Sequence, residues 1–358
     1  MRLSVALAIA ASFGSAIAEE IYLGFNSGAT TDGRVAKKQA DFEKEFTTAQ
    51  KLKNSPGLFS SIRLYTNVQP DTTDTPIEAF AAAVKTNTKL LLGIWCSGAK
   101  ASEHVDNEIK ALTTAISQQG KNFTDLVIGI SVGSEDLYRV SESGIRNKAD
   151  VGQSAATIVG FIKKVREGLK NTPLSKTPVG HVDTWTAWVN SSNKDVIAEV
   201  DFLGTNLFPY YEDDKGNAIT NATNVFQYAL NSTEKAANKK PVWVTETGWP
   251  TTGPDWGQAK PSLDNAKTYW NDIGCTLFGR KNTFWYVLRD SNPDNKAKFA
   301  VTNDLSTTPQ FNLTCPANSG APASINNNTS AANPTPTSRM SVVAGVLSVG
   351  FAFAAWIV

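Results

Sequence analysis

The run Leu126-Val-Ile-Gly-Ile-Ser-Val132, followed at once by Gly133-Ser-Glu135, decides the fold of this 358-residue chain. An almost unbroken apolar segment between Asp125 and Gly133 reads as a strand buried on both faces, as in a parallel sheet covered by helices. Seven companions share its character, at residues 21–26, 61–65, 90–96, 179–183, 202–208, 242–245 and 283–288. Amphipathic stretches separate them, at 35–52, 76–84, 102–118, 154–169, 224–238 and 262–273. Strands alternating with helices require crossover connections and a parallel sheet. Eight repeats over this length point to an α/β chain folded as a single (β/α)8 TIM barrel. An open dinucleotide-binding sheet would want Gly-x-Gly-x-x-Gly after its first strand, and Gly24-Phe-Asn-Ser-Gly28 does not supply it.

The two ends read as processing signals. Arg2 precedes an apolar run that closes on Ala16-Ile17-Ala18, so residues 1–18 are expected to be a signal peptide. At the other end, residues 341–358 are apolar and uncharged, behind the polar spacer 333–340 and the small trio Ser330-Ala331-Ala332. That order is expected of a GPI-attachment signal, with Ser330 as the ω site and residues 331–358 as the propeptide. A transmembrane anchor is the alternative, though the tail is barely long enough to span a bilayer. The catalytic body is expected at 19–315. Residues 316–330, rich in Ala, Asn, Ser and Pro, are expected to form a stalk. The protein is then held on the outer leaflet or passed to a cell wall.

Removing both ends takes away Arg2 and Arg339 and leaves 32 basic against 33 acidic residues, a net charge of −1. Such a chain offers no basic field for nucleic acid and no polybasic membrane patch. Export permits disulfides, and of Cys96, Cys275 and Cys315 the pair Cys275–Cys315 is expected to close. Cys96, at the end of an apolar run, is expected to be buried and inert. Asn-x-Ser/Thr acceptors stand at Asn122, Asn190, Asn221, Asn231, Asn312, Asn327 and Asn328, positions expected on the surface. A monomer is expected.

A barrel enzyme carries its chemistry where the strands end, on the loops at the C-terminal face. After the fourth run stands Glu135. After the seventh stands Glu246, in Val242-Trp-Val-Thr-Glu246-Thr-Gly-Trp-Pro250. Paired carboxylates suit glycoside hydrolysis: one protonates the leaving oxygen, the other stabilises or attacks an oxocarbenium-like carbon. Aromatic residues stand near strand ends, among them Trp249, Trp285, Tyr286, Phe208, Tyr210 and Tyr211, as a site for sugar rings would require. His104 and His181 show no metal-ligand spacing, so neither a metal nor a cofactor is expected. His104 reads as a surface residue and His181 as a core one. No Gly-x-Ser-x-Gly elbow or P-loop occurs.

Glu246-Thr-Gly-Trp-Pro after a Val-rich strand, with Gly133-x-Glu135 upstream, resembles glycoside hydrolase family 17. The likeness is closest to fungal GPI-anchored glucan endo-1,3-β-glucosidases. It extends over the body through Arg63-Leu-Tyr65 and Asn206-x-x-Pro-Tyr210. The resemblance implies retaining hydrolysis of β-1,3-glucan with Glu135 as acid/base and Glu246 as nucleophile. It also implies that Tyr65, Asn206, Tyr210 and Trp249 contact the glucan, with Trp285 a further aromatic candidate. Family members carry Asn just before the acid/base, against the sugar 2-hydroxyl; here that place holds Ser134, whose reach is shorter. The role split requires a raised pKa at Glu135 and an ionised Glu246. Glucanosyl transfer would use the same glutamates, and a non-catalytic glucan-binding wall protein could keep the barrel without turnover.

Overall fold

The computed structural model describes residues 20–324. The expected signal peptide, the ω site Ser330, and acceptors Asn327 and Asn328 lie outside the described residues. Eight strands form a closed barrel: β1 Leu23–Ser27, β2 Ser61–Leu64, β3 Lys89–Ile94, β4 Val127–Ser134, β5 Val179–Thr184, β6 Phe202–Asn206, β7 Val242–Thr247 and β8 Thr283–Trp285. Every neighbouring pair is parallel, and β8 closes onto β1 through Gly24 opposite Phe284. The expected (β/α)8 barrel is borne out.

The sequence explains both layers of packing. Leu91, Ile128, Phe202, Trp243 and Phe284 form a separate cluster within the barrel, with Phe202 stacked on Trp243 at 4.2 Å. Gly129 leaves room for it: a Cβ there would lie 3.2 to 3.4 Å from Leu91, Trp243 and Phe202. These side chains fill the floor of the barrel below the site. The main core lies between sheet and helices. Helix Ala155–Leu169 buries Ile158, Ile162 and Val165, and Ser154 caps it by accepting from Thr157 N at 3.2 Å. Helix Leu263–Tyr269 runs into a π turn over Trp270–Gly274, which packs Trp270 against Phe278 and Trp285.

Cys275 and Cys315 are disulfide-bonded, as expected, across 40 residues. Cys96 is free and buried, with its thiol 3.5 Å from Asp136 Oδ2. Beyond Cys315 the chain does not leave the body at once. Arg280 Nη1 donates to Ser319 O at 2.8 Å, and Ser324 pairs with Pro56, ahead of β2. Residues 316–324, read from composition as stalk, thus lie along the face opposite the barrel mouth. On the chain-entropy account, closing a 40-residue loop stabilises the fold by about 4 kcal/mol. Cys275→Ser is expected to lower Tm by a corresponding margin in calorimetry, and a Tm within a degree of wild type would refute this.

Asn122, Asn190, Asn231 and Asn312 are exposed. Asn221 departs from the surface expectation. It is half-buried, and its Nδ2 donates to the carbonyls of Lys215 and Gly216 at 3.0 and 2.8 Å. The amide that would carry a glycan instead closes a turn.

Candidate active site

Two local irregularities aim the carboxylates. Along β7, Trp243 points into the barrel cluster, so strict alternation would send Glu246 toward the helices. The register shifts against β6 between Thr205 and Asn206, and against β8 between Val244 and Thr247. Such shifts at a barrel rim re-aim a side chain, and Glu246 meets groups from β2 instead. At the end of β4, Glu135 is left-handed (φ 61°), a costly conformation for a residue with a Cβ. Gly133 (φ 86°) makes the approach possible, since a Cβ there would lie 2.6 Å from Asp136 Oδ2.

What holds Glu135 is a buried polar scaffold. Asp183 on β5 accepts from the amides of Leu137 and Tyr138 at 2.8 and 3.2 Å and from Thr184 N at 2.8 Å. His181 is fully buried between Val132 O, at 2.5 Å, and Asp183 Oδ2, at 3.0 Å. Burial pulls its pKa down, but the bond and charge of Asp183 outweigh this and raise it. Asp136 accepts from Ser134 N at 3.0 Å and Ser97 Oγ at 2.7 Å, while Arg139 donates to Ser134 O. The turn bearing Glu135 is thereby fixed from beneath on three sides.

The carboxylates sit in different surroundings. Glu246 is fully buried, and its Oε1 accepts from Arg63 Nη1 at 2.5 Å and from the Tyr65 hydroxyl at 3.0 Å. Arg63 also donates to Asn26 Oδ1 and Ser134 Oγ, each at 3.0 Å, and lies over the Tyr65 ring. The guanidinium places an opposite charge directly against the buried carboxyl. The other oxygen, Oε2, has no hydrogen-bond partner among the described residues and is left free to react. Glu135 has one neutral donor, Asn206 Nδ2 at 2.9 Å, itself oriented by Thr245 Oγ1 on Asn206 Oδ1. Burial, and then the charge of Glu246, push Glu135 up to about 7. One carboxyl is thus kept protonated near neutrality beside one paired with a cation, the division a two-carboxylate mechanism needs.

Two cavities flank this pair. A cleft of about 460 Å³ opens beside Tyr65, lined also by Thr66, Gln69, Trp95, His104 and Glu108. Its size falls in the ~300–1,000 Å³ range of ligand sites. His104, read as a surface residue, is half-buried on its wall, with Nδ1 3.2 Å from Ser97 O. Glu108 is buried there, bound by Thr66 Oγ1 and by Asn67 N at 2.6 Å, and burial raises its carboxyl to about 8. A narrow slot opens on the other side, against Glu135.

The structure brings Glu135, Glu246, Tyr65, Ser134 and Asn206 together. Three expected glucan contacts are instead engaged in packing within the fold. Tyr210 is fully buried, donating to Pro254 O and packing edge-on against Trp249. Trp249 is 2% exposed, with Nε1 on Lys260 O at 3.0 Å. Trp285, also 2% exposed, faces away from the barrel axis into Trp270, Phe278 and Tyr269. These rings support the mouth from behind. Ser134, expected at the sugar 2-hydroxyl, is engaged by Arg63. Arg63, Asp183, Glu108 and Glu212 were not singled out by role. Arg63 carries a signal as a cation inside an otherwise apolar strand, and Asp183 as a carboxylate at the end of the fifth run.

Residues 24–303 match the family described as "BtgE/BtgC glycoside hydrolase domain". The chain is 48% identical over 325 residues to "Probable glucan endo-1,3-beta-glucosidase eglC" of Aspergillus oryzae, covering 90% of this chain and 68% of that protein. It is 34% identical over 223 residues to "Glucan 1,3-beta-glucosidase" of Schizosaccharomyces pombe, covering 60% and 63%. Among solved structures, a glycoside hydrolase family 17 β-1,3-glucanosyltransferase from Rhizomucor miehei superposes with a TM-score of 0.65 at 22% identity. That match covers 82% of this chain and 97% of the other. The resemblance carried by the strand-seven motif is borne out.

Proposed function

The chain belongs to the BtgE/BtgC glycoside hydrolase family, and from that premise we propose that it cleaves β-1,3-glucan internally with retention at the anomeric carbon. The single observation that carries the mechanism is the asymmetry of the pair: Glu246 buried against Arg63 with one oxygen unpartnered, Glu135 raised to about 7. Glu246 Oε2 attacks C1 while Glu135 gives its proton to the departing glycosidic oxygen, forming a glycosyl ester and a free sugar hydroxyl. Glu135, now ionised, takes a proton from water, which attacks C1 and frees Glu246. Tyr65 and Arg63 hold Glu246 for in-line attack and draw its charge back as the ester breaks. The cleft beside Tyr65 receives the glycone side of the chain, and the slot beside Glu135 the leaving side.

Export and retention at the cell surface by a GPI anchor belong to the same proposal, supported by the terminal segments, the glycosylation acceptors and the disulfide. An anchor following Ser324 would leave from the face opposite the mouth, turning the site toward the wall polymer. A reduced linear β-1,3-gluco-oligosaccharide, followed by mass spectrometry, tests the activity. Shorter products are expected. Products longer than the substrate would move the assignment to glucanosyl transfer, and an unchanged substrate would favour a glucan-binding role.

A further inference from the structure

Glu212 is a buried carboxylate on the slot beside Glu135, and neither catalytic step uses it. It follows β6 in Tyr210-Tyr211-Glu212 and is 6% exposed. One oxygen accepts from Trp185 Nε1 at 2.7 Å. The other, Oε2, is paired with Lys215 Nζ at 3.5 Å, the long limit of a hydrogen bond, and has no closer donor among the described residues. Glu212 lines the slot beside the acid, with Glu135, Trp185, Asn206, Phe208 and Tyr211. Burial raises this carboxyl to about 7, against the pull of Trp185 and Lys215. The slot holds about 20 Å³, enough for one water-sized group and far too little for a sugar ring.

We propose that Glu212 is a specificity-determining residue that accepts a hydroxyl of the sugar on the leaving-group side. The ring rests above the slot and one hydroxyl enters it, donating to the oxygen whose contact with Lys215 is long. Trp185, held by Glu212 and covered by Lys215 at 5.2 Å, forms the wall. Because the same position receives an incoming sugar after the glycosyl ester forms, Glu212 sets how often a glucan rather than water intercepts it. The proposal rests on the glucanase reading above.

Glu212→Gln keeps an acceptor for Trp185 and removes the charge. Two substrates separate its role from a structural one: laminaripentaose, whose cleavage needs the leaving-side sugar, and an aryl β-laminaribioside, whose leaving group is not a sugar. The expected loss in kcat/KM is at least about tenfold greater on laminaripentaose, carried mainly by KM, with a smaller share of transfer products. Equal losses on both substrates, or none on either, would overturn the proposal. If Glu212→Gln is not recovered folded, Glu212→Asp, which withdraws the charge by one methylene, is judged by the same ratio. Wild-type protein that cleaves neither substrate would instead remove the glucanase premise, an outcome distinct from failure of Glu212 alone.

Discussion

Glu246→Ala is expected to lower kcat on laminari-oligosaccharides by at least about 10⁴-fold, the scale seen when a nucleophile is removed from a site otherwise intact. The substitution has a second consequence. Arg63 is 1% exposed, and losing its partner leaves a buried guanidinium uncompensated, at a cost of ~3–5 kcal/mol. Thermal melting must therefore accompany the kinetics. Glu246→Gln is the cleaner comparison: its amide oxygen still accepts from Arg63 and Tyr65 but does not form the ester, so activity should fall as far with a smaller loss of Tm. In Glu246→Ala the vacated space admits azide. With an aryl β-glucoside donor, azide should attack C1 from the face Glu246 occupied as the aryl oxygen departs, giving an α-glycosyl azide. A β-azide, or α-configured glucan products from wild type, would refute retention.

The barrel was legible because strands buried on both faces are continuously apolar, and the run at β4 carries that signal without ambiguity. The boundaries slipped where the signal fades. β4 extends through Ser134 because the polar end of the strand is still paired to Val182, while β8 stops at Trp285 although apolar residues continue to Leu288. The catalytic pair was legible for the same reason as the strands: carboxylates placed where apolar runs end. Aromatic platforms were not. Tyr210, Trp249 and Trp285 look in sequence like sugar-stacking rings, and only their packing against one another and against Tyr269, Trp270 and Phe278 shows how far they are engaged inside the fold. Glu212 was hidden for a different reason. Glu212-Asp213-Asp214 reads as a solvated acidic run, and nothing local reveals that its first member turns under Trp185.

Glu135→Gln should lower turnover of laminari-oligosaccharides by ~10²–10⁴-fold while sparing the first step with a dinitrophenyl donor, whose leaving group needs no proton. The second step still lacks its base, so that donor should give a burst followed by slow release. The pH profile adds a sharper criterion. Burial and the charge of Glu246 raise Glu135 from 4.5 to about 7, so the acid form is present below that value and lost above it. Wild-type activity should fall as pH rises through about 7, and this limb should vanish in the variant's first step. Stability follows with the same sign. Between pH 4.5 and 7 the folded state keeps a proton that the unfolded state has released, so unfolding frees a proton and stability declines as pH rises. Glu108 and Glu212, also raised, slope the same way, so the variant should show a reduced slope rather than a flat one. Tm of Glu135→Gln relative to wild type should therefore climb across that window and level off above pH 7. A difference independent of pH would show that Glu135 ionises at its ordinary value, and the acid would have to be sought elsewhere in the mouth.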